Sequence, residues 1–409
     1  MFNMKDVPLV PITELLESIV DNRGKSCPTQ ETGFPLIATN CIKHSSIYPT
    51  FENIRYVSDA VLNTWFRAEL KPNDILFVNK GTPGRVCLVP DPITFCAAQD
   101  MIGLRADAKK VYYKYLFAVL RSSYIQEKIA NFHVGIAIPH FKKSDMHNLL
   151  IPLPEMELQI RIGDLYCQLS EKIENNNAIN AELESMAKTI YDYRFLQFEF
   201  PNEEGKPYKS SGGKMVWNEE LKREIPERWN TTNIGNITKC LDSNRIPLSN
   251  AERELRRGNI PYYGATGIMD YVDEAIFDGD YVLMAEDGSV MDTKGNPILQ
   301  RLTGKAWVNN HAHVLQPSKN HGCKLLMMLL KDVSVMKIKT GSIQMKINQE
   351  NMNKIIIPEI PEHLIDKINL ILDDIDFQIL HREKENRELA SLRDFLLPLL
   401  MNGQVGFKE

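Results

Sequence analysis

Two stretches of this chain match each other at a constant distance of 206 residues. Leu149-Leu150-Ile151-Pro152 opens a long amphipathic segment, and Ile355-Ile356-Ile357-Pro358 opens another. The same offset pairs Leu158 with Leu364, Ile162 with Ile368, Leu165 with Ile371, Leu169 with Ile375 and Ile173 with Ile379. It then pairs Leu183 with Leu389, Met186 with Leu392 and Ile190 with Leu396. Upstream it pairs Gly135 with Gly341, and Asp74-Ile75-Leu76-Phe77 with Asp280-Tyr281-Val282-Leu283. Chance does not hold one offset over so many apolar positions, so the chain is a tandem duplication of a unit of about 200 residues.

Each copy ends in a helix. Apolar residues fall at 158, 162, 165, 169 and 173, then at 183, 186, 190 and 193, and the second copy repeats this at 364, 368, 371, 375 and 379, then at 389, 392, 396 and 399. Steps of three and four sustained this far are the seam of a coiled coil. Both copies turn polar midway, at Asn175-Asn176-Asn177 and at Arg382-Glu383-Lys384. Roughly 40 residues at 1.5 Å each make a rod about 60 Å long. Either each seam is buried on its own globular unit, or the two seams bury each other. Antiparallel pairing of the two rods is expected, with the globular units at opposite ends of a spacer. The expected divisions are globular units at 1–153 and 225–361, long helices at 154–198 and 362–400, and a polar connector at 199–224 with a helical turn at Glu219 to Arg223. The fold class is α+β.

Composition narrows the function classes. Hydrophobic residues make up 43% and charged residues 25%, a globular balance that excludes a disordered or fibrous chain. The amino terminus lacks an apolar stretch and no window approaches about 20 apolar residues, so neither a secretory signal nor a membrane span is expected. The seven cysteines are scattered without a Cys-x-x-Cys pair, which points to a reducing, cytoplasmic setting with no disulfide framework. A net charge of -5 argues against a uniformly basic nucleic-acid binder, but the charge is sorted by region. Residues 155–198 hold 4 basic and 8 acidic groups and residues 362–400 hold 5 and 9, so the helices carry the acid. Residues 1–153 hold 17 basic and 14 acidic groups, and 225–361 hold 16 and 15. Any nucleic-acid face is therefore a local patch, with candidates at Lys109-Lys110, Lys142-Lys143, Arg253 with Arg256-Arg257, and Lys337 with Lys339.

No catalytic motif is legible. There is no Gly-x-x-x-x-Gly-Lys-Ser/Thr phosphate loop, and no Asn-Pro-Pro-Tyr or Asp-Pro-Pro-Tyr of the kind amino-methyltransferases use. Gly81-Thr82-Pro83-Gly84-Arg85 reads as a tight turn after a strand, because Pro83 removes a backbone donor that a phosphate cradle needs. His311 and His313 lack evident third and fourth ligands, so no metal is assigned. Glu286-Asp287-Gly288 stands where the repeat places Asn79-Lys80-Gly81. A duplicated catalytic site would not exchange a basic turn for an acidic one, whereas a surface reading a different sequence could.

Taken together, the layout resembles the specificity subunit of type I restriction–modification systems along essentially the whole chain. The resemblance rests on the tandem halves, on Ile151-Pro152-Leu153-Pro154-Glu155 entering the central helix and on Ile357-Pro358-Glu359-Ile360-Pro361-Glu362 entering the last one. It rests also on Asp74-Ile75-Leu76-Phe77 and on the connector that follows residue 198. One departure is that Glu157-Leu158-Gln159 stands where such subunits have Glu-Gln. The resemblance implies two globular target recognition domains, each reading one half of a split site on double-stranded DNA, held apart by an antiparallel helix pair. It also implies two modification subunits that bring S-adenosylmethionine and methylate adenine, and one or two restriction subunits, while this chain holds no cofactor, no metal and no catalytic residue. Base readout needs amides, cations and hydroxyls on loops. The expected contacts are Lys80, Arg85, Gln99, Lys142 and Lys143 in the first unit, and Arg256, Arg257, Asn310, Ser342, Gln344 and Lys346 in the second. The competing classes are a coiled-coil scaffold that reads no sequence, and a self-contained DNA methyltransferase or nuclease.

Overall fold

The structure, a computed structural model, describes residues 7–22, 26–132, 139–318, 320–341 and 345–407. It divides into two compact units, Met1–Ile179 with Arg382–Glu409, and Asn180–His381.

The first unit contains β1 (Leu9–Pro11), β2 (Leu16–Val20), β3 (Phe34–Ile37), β4 (Arg55–Val57), α1 (Asp59–Thr64), β5 (Ile75–Val78), β6 (Val86–Leu88), β7 (Cys96–Ala97) and β8 (Met101–Ala106). Then come α2 (Tyr113–Arg121), α3 (Ser123–Phe132), β9 (Leu150–Pro152) and the long α4 (Met156–Tyr191). An antiparallel sheet runs β2-β8-β5-β6, beside a small sheet β4-β3-β7 and the pair β1-β9. Because successive side chains of a strand point to opposite faces, β5 buries Ile75 and Phe77 in one core and Leu76 and Val78 in another. The first core is closed by α2, by the start of α4 and by Leu397, Leu400 and Met401 from the far end of the chain.

A hairpin of β10 (Met215–Asn218) and β11 (Arg223–Pro226) opens the connection to the second unit's sheets. The helical turn expected at Glu219 to Arg223 is thus corrected. Asn218 accepts the amides of Glu220 and Leu221, and Lys222 takes a positive φ of 53°, which closes a β-turn. The sheets of the second unit use β12 (Asn230–Asn233), α5 (Ile234–Ile237), β13 (Thr238–Cys240), α6 (Asn250–Leu255), β14 (Arg257–Tyr263), β15 (Ile268–Val272), β16 (Phe277–Ala285), β17 (Leu299–Val308) and β18 (Ala312–Pro317). Helices α7 (Cys323–Leu330) and α8 (Gln349–Asn353), β19 (Ile356–Glu359) and the long α9 (Glu362–Met401) follow. The order β13-β18-β16-β17 repeats β2-β8-β5-β6, and β12-β19 repeats β1-β9. β3 pairs antiparallel with β4 and parallel with β7, and β14 likewise pairs antiparallel with β15 and parallel with the end of β17. The equivalent of β17 is broken into β6 and β7 by a stretch holding Pro90 and Pro92, which donate no ladder hydrogen bond.

Within each unit the portions of α4 and α9 run antiparallel. In the first, Arg393 donates to Ser170 Oγ at 3.2 Å. Buried Asn176 donates to Glu385 Oε2 at 2.7 Å and to Asn386 Oδ1 at 2.8 Å, and Asn386 donates back to Asn177. In the second, Asn180 donates to the Ile379 carbonyl at 3.4 Å, and Leu364, Ile368, Leu372, Ile375 and Ile379 share a core with Ala187 and Tyr191. The expected seam is partly corrected: Met186, Tyr193 and Leu392 are exposed, while Ala187, Tyr191 and Leu397 are buried. From Leu183 the buried face advances in steps of four, and α4 ends in a π-turn over Asp192–Leu196 that carries Tyr193 off the seam. Gln159, in the departure noted above, is buried and accepts the amide of Tyr112, which caps α2. Gly163 lies against the same helix start, where a Cβ would come within 2.5 Å of the Tyr115 nitrogen.

Two aspartate substitutions test the register of α9. Leu392→Asp, on an exposed position, is expected to change stability by no more than about 0.5 kcal/mol. Leu397→Asp buries an unpaired carboxylate in the first unit's core and is expected to cost several times more, about 3 kcal/mol or above. Urea denaturation of the two variants distinguishes them, and equal effects would reject this register.

Candidate nucleic-acid interface

Three segments meet at one corner of each unit, and they meet in the same way. In the first unit the residue after β5, Asn79, donates its amide to the Asp100 carbonyl at 3.1 Å and accepts the Phe141 amide at 2.8 Å, while Gly81 donates to the Pro139 carbonyl at 2.9 Å. In the second unit the residue after β16, Glu286, donates to the His311 carbonyl at 2.9 Å and accepts the Ile347 amide at 2.8 Å, while Gly288 donates to the Met345 carbonyl at 3.0 Å. Gly81 and Gly288 take φ of 88° and 74°, the left-handed turn that glycine adopts without cost. This backbone match makes Lys80 equivalent to Asp287, Gln99 to Asn310, Asp100 to His311, and His140 to Lys346.

The frame is shared and the side chains are not. Asn79 is buried, and its Oδ1 has no hydrogen-bond partner among the described residues. At the same place Glu286 is buried and accepts from Arg245 at 2.7 Å and from Lys346 at 3.0 Å. Arg245 also reaches Asp242 at 3.2 Å and the Ala312 carbonyl at 2.7 Å. Asp242 accepts the Val314 amide at 2.9 Å and faces His313 Nδ1 at 2.5 Å, and His313 Nε2 faces the Ile347 carbonyl at 2.8 Å. Burial pushes both carboxyls up, but their cationic and hydrogen-bonding partners outweigh it. For Glu286 these are Arg245, Lys346 and His313, and for Asp242 they are His313, the Val314 amide and Cys240, so both acids lie below their ordinary values. Cys240, Asp242 and His313 each bring a ligand atom within 4.8 Å of the others. Arg245 already supplies the cation between Asp242 and Glu286, so the cluster is an ion-pair network. His311, the other histidine of the sequence motif, pairs instead with Asp287 at 2.6 Å.

The corner collects some of the expected residues and not others. Lys80, Gln99 and Lys142 lie on the three segments of the first corner, with Lys80 and Lys142 exposed and free of ion pairs among the described residues. Asn310, exposed, and Lys346 lie on the segments of the second. Arg85 stands back along the β5–β6 hairpin, where its carbonyl accepts the Val78 amide. Lys143 is ion-paired with Asp21. Arg256 is held by Asp273 at 3.1 Å and Glu274 at 2.5 Å and lies 4.8 Å over the Trp307 ring, and Arg257 begins β14, so neither is on the three segments of the corner. Ser342 and Gln344 lie outside the described residues. Asn79, Asp242 and Arg245 were not among the expected residues, and no local motif marks them, because their partners come from distant segments.

A family model for the type I restriction modification DNA specificity domain matches residues 4–185 and again 226–390. The chain is similar to the type I restriction enzyme MjaIX specificity subunit of Methanocaldococcus jannaschii, 26% identical over 82% of this chain and 78% of that one. It is also similar to the type I restriction enzyme HindI specificity subunit of Haemophilus influenzae, at 20% identity over 82% of this chain and 87% of the relative. Among solved structures, the S subunit of a type I restriction-modification system from M. genitalium shares the fold, with a TM-score of 0.59 at 19% identity over 98% of this chain and 99% of the other. No helix among the described residues is long and apolar enough to cross a membrane.

Removing one partner from the buried network is expected to be costly. Glu286→Ala takes one of two carboxylates from Arg245, which keeps Asp242, and should destabilise the second unit by about 1–3 kcal/mol, whereas substitution of exposed Lys80 should cost about 0.5 kcal/mol or less. Because Asp242 and Glu286 ionise more easily when folded, their contribution is complete above the unfolded carboxyl value of about 4 and is lost as pH falls through the lower folded values. Urea denaturation followed by tryptophan fluorescence, between neutral pH and pH 3, should show this acid loss in the parent chain and a shallower one in Glu286→Gln.

Proposed function

The chain belongs to the family of type I restriction–modification DNA specificity domains, and on that premise we propose that each unit reads one half of a bipartite site on double-stranded DNA. The observation that carries this reading is the corner built twice on one backbone with unlike side chains. Phosphate contacts position a protein on DNA, while base contacts specify the sequence. Two copies with one geometry and different polar groups suit two different half-sites. Lys80, Lys142, Arg85 and Arg257, which have no ion pair among the described residues, are the candidates for phosphate contact. Gln99 and Asn310, the equivalent amides of the two corners, are candidates for base contact, as are Ser342, Gln344 and Lys346. Lys143 and Arg256 are candidates that would first have to exchange a carboxylate for a phosphate.

In this reading the chain performs no chemistry. Two modification subunits dock on it and supply S-adenosylmethionine and the methylation of adenine, and restriction subunits add cleavage. The exposed apolar residues Leu370 and Phe377 on the second unit's part of α9 offer such subunits a surface. The complex works in the cytoplasm, and the lengths of α4 and α9 set the unread gap between the half-sites.

Methylome sequencing of cells carrying the chain with its modification subunit tests the reading. Replacing residues 225–361 with those of a relative is expected to change one half of the methylated motif and leave the other intact. A swap that alters both halves or neither would overturn the assignment. Inserting one heptad at matched positions of α4 and α9 should lengthen the gap with both half-sites unchanged. Lys142→Ala should weaken binding about evenly across sequences and reduce the slope of log K against log salt by about 1.

A further inference from the structure

One pair of side chains at the second corner belongs neither to the buried network nor to the expected contacts. His311 Nδ1 lies 2.6 Å from Asp287 Oδ1, and the imidazole remains half-exposed. Both residues sit on the tied backbone of the corner. The His311 carbonyl accepts the Glu286 amide, and Gly288, next to Asp287, is bonded to Met345. The His311 amide donates to the side chain of buried Asn309 at 2.8 Å, and Asn309 donates its own amide to the Tyr263 carbonyl. The ring is therefore mounted on a rigid turn, with its neighbour Asn310 exposed beside it. The equivalent positions of the first corner hold Asp100 and Lys80, so acid and base have changed places between the two copies.

A carboxylate oxygen only accepts, so the Nδ1 facing Asp287 carries the proton. With Nδ1 so occupied, the neutral tautomer is the form that offers Nε2 as an acceptor. A fixed acceptor at an exposed corner selects a donor. On the major-groove edges of DNA the only donors are the amino groups of adenine N6 and cytosine N4, whereas guanine O6 and thymine O4 accept and would face a lone pair with a lone pair. We propose that His311, oriented by Asp287, is a specificity-determining residue of the second unit that accepts a hydrogen bond from the exocyclic amino group of an adenine or a cytosine. Asp287 is its positioning residue, holding the tautomer. This rests on the reading above, in which 225–361 recognises one half-site.

The test uses the full chain assembled with its modification subunit and a set of duplexes carrying the recognised site. In each duplex one adenine is replaced by purine, or one cytosine by pyrimidin-2-one, so that a single exocyclic amino group is lost. With the parent chain, one position of the half-site read by 225–361 should lose about 5- to 100-fold in affinity, the range of a single good base contact. His311→Ala should show that loss on unmodified DNA and no further loss on the analogue duplex. Asp287→Asn, which frees the tautomer, should lower selectivity at the same position while leaving the other half-site as it was. Intact recognition of the other half-site by each variant shows that the chain is folded. If the parent chain is indifferent to every amino deletion in that half-site, or if the losses from His311→Ala and from the analogue add, the proposal is wrong, and the first outcome needs no variant to fold. If the swap of 225–361 still changes one half-site in those cases, the assignment of the unit stands and this contact alone falls. If the swap changes nothing, the assignment itself falls.

Discussion

Each unit depends on one strand buried on both faces. β5 and β16 place alternate side chains in two separate cores, so each needs a layer on either side before it is stable. One layer is the face toward the small sheet pairing β3 with β4, or β14 with β15. The other is made of helices, and part of it comes from segments far away in sequence: Leu397 and Leu400 for β5, Ala187 and Ile368 for β16. With its strand so clamped, the residue that leaves it, Asn79 or Glu286, has a fixed backbone position. Its amide and carbonyl then draw in two further segments, and the corner follows from the packing beneath it.

That dependence explains what could be read from residues alone. The repeat, the two long helices and the β5/β16 strand signature were legible because they are local patterns held at one offset. The exact seam was less so. Met186 and Leu392 fit a three-four step as well as Ala187 and Leu397 do, and only the cores of the units decide which residues they cover. The hairpin at β10–β11 was misread as a helical turn because Glu219 to Arg223 is charged and helix-compatible, while the Asn218 carboxamide that closes the turn acts through geometry. The network of Asp242, Arg245, Glu286 and His313 was invisible for a stronger reason. Its members come from three segments, and only Asp242 and Arg245, three residues apart, are near one another in sequence.

The two corners also show how a duplicated fold diverges without losing its frame. The three backbone hydrogen bonds at each corner involve no side chain, so the side chains there can change freely provided burial is compensated. A buried carboxylate requires cations, and Arg245 with Lys346 supplies them in one unit. The other unit keeps a neutral amide at the same place and needs none. Neighbouring positions on the same turns that are not fully buried carry no such requirement, and there acid and base have exchanged outright. The polar layer at Asn176 and Asn386 acts differently: it aligns α4 with α9, since a shifted pairing would leave the buried Asn176 amide without partners.

The division of the chain has a consequence for its birth on the ribosome. The second unit is one continuous stretch, Asn180–His381, whereas the first needs Arg382–Glu409 to complete it. Domains generally fold in the order in which they are synthesised. Here that order is reversed for completion: the residues emerging first wait, with the floor of their core open, until the last helix has been translated. Until then the apolar surface that Leu397, Leu400 and Met401 will cover is exposed to other nascent chains and to chaperones. A ribosome that stops before Leu397, Leu400 and Met401 thus releases a protein whose first unit is unfinished while its second is complete.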